Sequence, residues 1–392
     1  MMLCGSTAAA TQTICPMFLH LSSGREGGEM VIRRLLEDVA GPQSIGRGPG
    51  TQRRTVLLTG ASGVVGRALL QRLRDLDVVC LVHRSPVSGP GVTTVQGDIS
   101  EPMFGLARQA YAALAAEVDA VIHCAAITEF YRTDGSLEAT NIAGTGHVAA
   151  FVAAANAVLY HVSTAFVHTT VDGDRGRTAI GYAASKSAGE ELVRSSGVPH
   201  VILRPSVVIG DSGTGEIAAF QGLHRVAAGM FAGIVPMIPF EPSWPIDFVP
   251  ADIVADAIAC VVQNQVSQGE FWVTAGEKAL RLDEAVVVAV EVGWELGVSI
   301  DVPRFVPPEM FDRLIGPVFL DALPDRIRRN VLRMLEFFTT YLQSGQYKPS
   351  SLDQLVALGA RPLPDQRESL RNTLLYWAAQ RGYGPAETER TA

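Results

Sequence analysis

Arg53-Arg54-Thr55-Val56-Leu57-Leu58-Thr59-Gly60-Ala61-Ser62-Gly63-Val64-Val65-Gly66 (RRTVLLTGASGVVG) is the stretch whose reading decides the fold. The apolar run Val56-Leu57-Leu58 reads as a buried parallel strand. Gly60, Gly63 and Gly66 follow it at the spacing of a strand-to-helix turn, where backbone N–H groups at the helix start can receive a dinucleotide pyrophosphate. Each glycine serves a separate need: a tight turn, close approach of the phosphates, and close contact between helix and sheet. The spacing is Gly-x-x-Gly-x-x-Gly rather than Gly-x-Gly-x-x-Gly, so the reading needs support from the rest of the chain.

That support begins just downstream. Arg67–Leu73 is amphipathic and reads as the helix, and Val78–Val82 as a second strand ending in His83-Arg84-Ser85. NAD-preferring sites place an acidic residue on the ribose hydroxyls at this strand end. Here the position offers Arg84, with His83 beside it and Arg67 after the glycine turn. Guanidinium groups pair well with a 2′-phosphate, so NADP(H) is the expected cofactor. A third strand, Val92–Gln96, leads to Asp98, either an acceptor for the adenine amino group or a helix N-cap. Helix Met103–Leu114 and strand Ala120–Ala126 follow, and the small Ala125-Ala126 pair permits close approach of a cofactor. Asn141 opens a further helix. Alternating strands and helices predict an α/β fold with a doubly wound parallel sheet.

The fifth strand, Val158–Val167, carries the polar pair Ser163-Thr164, costly in an apolar strand unless it is hydrogen-bonded or opens into a site. Tyr182 lies eighteen residues beyond Thr164, and Lys186 four further on. If Tyr182 opens helix Ala183–Arg194, the two side chains share a face. An ammonium beside the phenol should lower the tyrosine pKa and hold the nicotinamide ribose. A hydroxyl from Thr164 or Ser163 would orient a substrate carbonyl, and Tyr182 would protonate its oxygen as hydride arrives.

With these residues in place, the chain resembles an extended short-chain dehydrogenase/reductase over roughly residues 54–275. The likeness is carried by Thr59–Gly66 (TGASGVVG), Asp98, His123–Ala126, Asn141, Ser163-Thr164, Tyr182–Lys186 (YAASK) and Leu203-Arg204-Pro205. It implies a Rossmann-type sheet, with catalysis by Tyr182, Lys186 and Thr164 and with Ser163 as the second choice for the hydroxyl. The cofactor would lie on Gly60, Ala61, Ser62, Gly63, Val64, Val65 and Gly66, with Arg84, Asp98, Ile99, Cys124, Ala125, Ala126 and Asn141. Tyr182, Lys186, Pro205, Val207 and Val208 would complete that contact, and no metal is implied.

A narrower likeness comes from Arg204–Gly215 (RPSVVIGDSGTG), which is similar to the R-P-x-x-x-x-G-D-S-x-T-G segment of thioester reductases and fatty acyl reductases, the male sterility branch. It implies reduction of an acyl-CoA or carrier-bound thioester, or its aldehyde, to aldehyde or alcohol. One departure is the short connection Asp172–Gly181, which bears on acyl selectivity. Other readings are a ketone or 3-beta-hydroxysteroid-like dehydrogenase, a nucleotide-sugar dehydrogenase/epimerase, and a non-catalytic NADP-binding scaffold.

Composition frames these expectations. At 392 residues and 47% hydrophobic content the chain can bury a large core, and a net charge of -8 argues against a general nucleic-acid surface. Five scattered cysteines, Cys4, Cys15, Cys80, Cys124 and Cys260, suit a reducing compartment. Residues 1–50 read as a poorly ordered leader without a signal peptide, residues 51–275 as the cofactor domain, and residues 276–392 as a smaller, mostly helical substrate or lid region aided by residues 211–245. Within residues 1–50, Met30–Leu36 could form a short helix. Phe220–Met230 and Ile253–Val262 read as helices, the latter capped by Asp252. Phe271–Thr274 reads as a late strand and Leu282–Val292 as a helix. From Pro307 onward the chain is apolar and helical, and Tyr341–Gly384 weakly resembles the C-terminal region of fatty acyl reductases. Arg326, Arg328, Arg329 and Arg333 would suit a lid, a homodimer contact or a membrane surface. No apolar run is long enough to span a bilayer, so the expected location is cytoplasmic, with peripheral membrane contact as an option. No acyl-activating or carrier domain fits in this length, so a thioester would come from CoA or a separate carrier.

Overall fold

The structure, a computed structural model, describes residues 53–129, 134–167, 181–311 and 346–384, together with 313, 316–321, 323–325, 328–329 and 331–332. The expected leader and its short helix, most of the Asp172–Gly181 connection, Arg326, Arg333 and the apolar residues between 333 and 345 lie outside the described residues.

Seven parallel strands form the central sheet: β1 (Thr55–Thr59), β2 (Asp77–Val82), β3 (Val92–Gln96), β4 (Ala120–His123), β5 (Val158–Val162), β6 (His200–Pro205) and, at the far edge, Gln268–Val273. Their spatial order runs from β3 through β2, β1, β4, β5 and β6 to the edge strand. The chain winds one way from β1 to β3, then returns to β4 and winds the other way. The crevice at this reversal, outside the carboxyl ends of β1 and β4, is where open α/β sheets bind their ligands. The first glycine turn therefore stands at the switch point.

Strand periodicity explains the two cores. Val56 and Leu58 face helix α1 (Val64–Leu70) and helix Ala251–Gln263, while Leu57 faces helices α2 (Arg108–Glu117), α3 (Gly144–Ala155) and α4 (Tyr182–Ser195). All three residues are fully buried, each side chain contributing about 1.5–3 kcal/mol. A third apolar cluster joins helix Gly222–Phe231, helix Leu282–Glu295 and helix Gln366–Gln380 to Ala165, Phe166 and Ile209. The predicted C-terminal helical region thus shares one core with the residues that follow β5.

Several boundaries differ from the expectations. The helix expected over Met103–Leu114 begins only at Arg108, because Met103, Phe104 and Gly105 take left-handed turns that bury the Phe104 ring against Tyr111 and Phe151. Strands β4 and β5 stop at His123 and Val162, so Cys124–Ala126 and Ser163-Thr164 lie just beyond the strand ends rather than within them. Asp252 is not a helix cap. It is buried in the first turn, accepting from the Ser212 N–H (2.8 Å) and hydroxyl (2.7 Å) and pairing with Arg361.

Those Asp252 bonds help to anchor the Arg204–Gly215 segment. Asp211 Oδ1 accepts from the N–H groups of Gly213 and Thr214, folding the loop on itself. Gly215 turns with φ +70° against the backbone of Asn372, whose amide donates to the Ser212 carbonyl at 3.0 Å. The loop joins the C-terminal helix to the sheet.

Candidate active site

Gly60 has φ +74°, and a Cβ there would come within 2.5 Å of the Ala125 nitrogen. A Cβ on Gly66 would overlap the Gly60 carbonyl oxygen. The two glycines therefore allow β1, the end of β4 and the start of α1 to meet with no side chain between them. Gly63 precedes α1 and no side chain caps the helix, which leaves the first-turn N–H groups of Val64, Val65 and Gly66 without an intrahelical acceptor. Ala61 and Ser62 form the turn itself. This cradle fits a dinucleotide: small, rich in donors and free of carboxylates in the first helical turn.

At the end of β2, His83 and Arg84 are exposed. Asp98 lies at the end of β3, where its carboxylate accepts from the Ser100 N–H and hydroxyl and stands 3.3 Å from His83 Nε2. These bonds, with Arg84 nearby, hold its pKa below the ordinary value despite the opposing effect of burial. Arg67 folds back onto the turn, its Nε 3.2 Å from the Ser62 carbonyl. Ile99 is placed differently from the rest. Its side chain is buried against Gly144 and its carbonyl accepts from His147, so it shapes the wall from behind.

Asn141 also acts from behind. It is 1% exposed, its Oδ1 accepts from the Ile127 N–H, and its Nδ2 donates to the Ile127 carbonyl and to Ser185 Oγ. Ser185 in turn donates to the Tyr182 carbonyl at 2.7 Å. One amide thus ties the loop after β4 to the first turn of the helix that carries Tyr182. The segment holding Asn141, Glu138–Ala143, is wound as a widened π-type turn.

A buried hydrogen-bond chain runs beneath this floor. Thr145 spends its proton on the Asn141 carbonyl, so its oxygen accepts from His123 Nε2–H at 3.2 Å. His123 Nδ1 therefore accepts from the Thr59 hydroxyl at 2.8 Å, and Thr59 accepts from the Ala125 N–H. The chain requires a neutral His123 with its proton on Nε2. Burial agrees, pushing its pKa down to about 3 with help from Lys186.

Burial also holds His224 down to about 4 and His161 well below its ordinary value. The sign follows directly. Below about pH 6.5 the unfolded chain takes up protons at these sites and the folded chain does not, so stability falls as pH falls. Glu190 and Glu270, held low by arginines, act in the same direction at lower pH. The thermal midpoint is expected to drop by about 10 °C between pH 7 and pH 4, measured by calorimetry. A flat profile would contradict the neutral-histidine assignment.

Tyr182 opens α4 as expected, and its phenol hydrogen-bonds to Thr164. The lowered tyrosine pKa is not what the structure shows. The phenol end is interior, and desolvation pushes its pKa up to about 12, outweighing the Thr164 bond. Lys186 is buried one turn further on, its pKa pushed down to about 8 by burial while Cys124 and Glu190 favour the ammonium. Cys124 is held as a neutral thiol, raised to about 12 by burial. Ser163 is buried, with its hydroxyl interacting with Glu190.

The segment after Thr164 is stitched to β6: Ser163 N–H donates to the Leu203 carbonyl and Ala165 N–H to the Pro205 carbonyl. Val207 and Val208 pair with Phe248 and Val249 alongside. Two further residues, not singled out from the sequence, stand on the substrate side. Asp247 is buried and accepts from the N–H groups of Ala275 and Gly276, and Lys348 faces it with its Nζ 5.4 Å from the Phe166 ring centre. Asp247 is a charged residue in an apolar stretch and Lys348 an ordinary lysine in a polar one, and neither signal reveals a partner so far along the chain.

A family model described as "Male sterility protein", an NAD-binding family, matches residues 87–258. The chain is also similar to the terminal R domain from the myxalamid PKS-NRPS biosynthetic pathway, at 26% identity and a TM-score of 0.68, over 86% of this chain and 93% of that one. The chain is similar to reductase domains of the extended short-chain dehydrogenase/reductase family. Among long relatives, the chain is 30% identical over 240 residues to a hybrid PKS-NRPS synthetase of Talaromyces variabilis, spanning 56% of this chain and 6% of that protein. It is 28% identical over 357 residues to the isonitrile lipopeptide synthase of Mycobacterium tuberculosis, spanning 74% of this chain and 14% of that protein. The family match and the seven-stranded parallel sheet together give the chain an NAD(P)-binding, Rossmann-type core. Among the described residues no helix is long and apolar enough to cross a membrane.

Proposed function

We propose that this chain uses NADPH to reduce an acyl thioester, carried on a phosphopantetheine arm of a carrier protein or CoA, to an aldehyde and onward to an alcohol. The observation that carries the reading is the Thr164–Tyr182 hydrogen bond with Lys186 buried one helical turn further on, in a chain similar along most of its length to an R domain. NADPH over NADH rests on Arg84 and Arg67 flanking the turn and on the absence of a carboxylate from the exposed end of β2.

The glycine turn, Arg84, Tyr182 and Lys186 would hold the cofactor, which supplies the hydride when bound. The chain's own groups do the rest. Thr164 and Tyr182 hydroxyls orient the substrate carbonyl through its oxygen. With a pKa near 12, Tyr182 keeps its proton at neutral pH and can deliver it from Oη to that oxygen as negative charge develops. Lys186, still ammonium near neutrality, favours the phenolate left behind. Collapse of the resulting hemithioacetal reforms the carbonyl as an aldehyde and expels the thiolate, which takes the hydroxyl proton.

The test is NADPH consumption driven by acyl-pantetheine, acyl-CoA and acyl-carrier thioesters, with NADH as the competing cofactor. Turnover on thioesters with NADPH favoured is the expected result; turnover on nucleotide sugars alone would overturn it.

A further inference from the structure

Helix α4 carries a polar stripe at four-residue intervals: Tyr182, Lys186, Glu190 and Arg194. The first two are the reacting pair; the last two enter a closed cluster. Glu190 is 1% exposed, and Arg204 of β6, 2% exposed, grips it through Nε (2.8 Å) and Nη2 (2.7 Å). Arg194 Nη2 reaches the same carboxylate at 2.7 Å. Glu270, on the edge strand, closes the square by accepting from Arg204 Nη2 at 2.6 Å and Arg194 Nε at 2.7 Å. Trp272 lies beneath Arg204, its ring centre 4.9 Å from the guanidinium carbon.

We propose that Glu190, held by Arg204, Arg194 and Glu270, is a positioning residue for catalysis: it locks α4 onto β6 and the edge strand, and so sets where Tyr182 and Lys186 stand and how firmly Lys186 keeps its charge. This rests on the reading of Tyr182 and Lys186 as the reacting pair. The geometry favours function over bulk stability. A buried ion pair is a costly way to pack a helix, since apolar residues of similar volume do as well or better. Its carboxylate sits one turn from Lys186 on the same face, and Arg204 is followed directly by Pro205, whose carbonyl fixes Ala165 beside Thr164. The clamp thus reaches both sides of the site.

The charged and titratable groups interacting with Lys186 are His123 of β4, Cys124 just beyond it, His161 of β5, and Glu190 of its own helix, which also carries Tyr182 one turn before. Those facing Glu190 are Arg204, Arg194 and Ser163, with Glu270 beyond the arginines. Of these, Glu190 is the carboxylate that favours the Lys186 ammonium. Replacing it removes that charge and leaves two guanidiniums less neutralised, so the ammonium becomes harder to keep.

The chain contains only three lysines, Lys186, Lys278 and Lys348, so isotope-labelled lysine gives three side-chain signals, with Lys186 assigned by its loss in Lys186→Met. In Glu190→Gln the Lys186 titration midpoint is expected to fall by about one pH unit. The alkaline limb of kcat should move with it and kcat fall about tenfold, with the KM for NADPH changing less. Glu270→Gln, whose side chain is 39% exposed, should fold normally and shift the same midpoint in the same direction by less. If Glu190→Gln does not fold, the Glu270→Gln titration decides. An unchanged Lys186 midpoint in the folded variants would overturn the proposal. Failure of the wild-type chain on every thioester would instead sink the functional reading while leaving this titration readable.

Discussion

Tyr182→Phe is expected to lower kcat by about a thousandfold, the scale on which a positioned general acid acts, while NADPH still binds. The phenol is the interior group bonded to Thr164, and burial keeps it protonated throughout the neutral range, with a pKa near 12. It is therefore a donor awaiting a developing alkoxide, and its proton moves only when charge on the substrate oxygen makes that favourable. Phenylalanine keeps the ring and its packing at the start of α4 and removes only the Oη. Steady-state kinetics, with NADPH binding read by fluorescence, separate the two effects. A variant that keeps more than a tenth of wild-type kcat would place the proton donor elsewhere.

Gly60→Ala is expected to abolish cofactor binding and to destabilise the chain by roughly 2–5 kcal/mol, combining left-handed backbone strain with overpacking. The added Cβ would meet the Ala125 nitrogen at 2.5 Å and the Cys124 carbonyl carbon at 2.7 Å, both backbone atoms that cannot swing aside. The end of β4 would have to move, and with it the Ala125–Thr59–His123 hydrogen-bond chain. A thermal midpoint within 2 °C of the wild type and intact NADPH affinity would show that the strand ends are less tightly joined than the geometry requires. Isothermal titration and thermal melting give both readings on one sample.

Why these two positions were legible in sequence, and others were not, follows from the range of their interactions. The glycine turn and the Tyr182–Lys186 pair are local: three glycines in seven residues, and two side chains one helical turn apart. Thr164 could be found because hydroxyls in an apolar strand demand an explanation. Asn141 was visible but its work was not, since its partners Ile127 and Ser185 lie 14 and 44 residues away. Glu190 shares the stripe with Tyr182, yet its meaning depends on Arg204 and Glu270, which arrive on two other strands.

The Tyr182 pKa is raised where the spacing predicts a lowered one, for a related reason. Spacing places an ammonium near the phenol but cannot weigh it against desolvation, which is set by tertiary packing. The late start of α2 has the same origin. Nothing in Met103-Phe104 forbids a helix locally; the left-handed turn is held by burial of the Phe104 ring beside Phe151.

Thioester reduction is tested most directly by supplying an acyl-pantetheine thioester together with NADPH deuterated at its transferable position, then identifying the products by mass spectrometry. The expected result is an aldehyde or alcohol bearing deuterium on the former carbonyl carbon, with one free thiol released for each acyl group reduced. Labelled product from a ketone or nucleotide sugar, and none from any thioester, would contradict it.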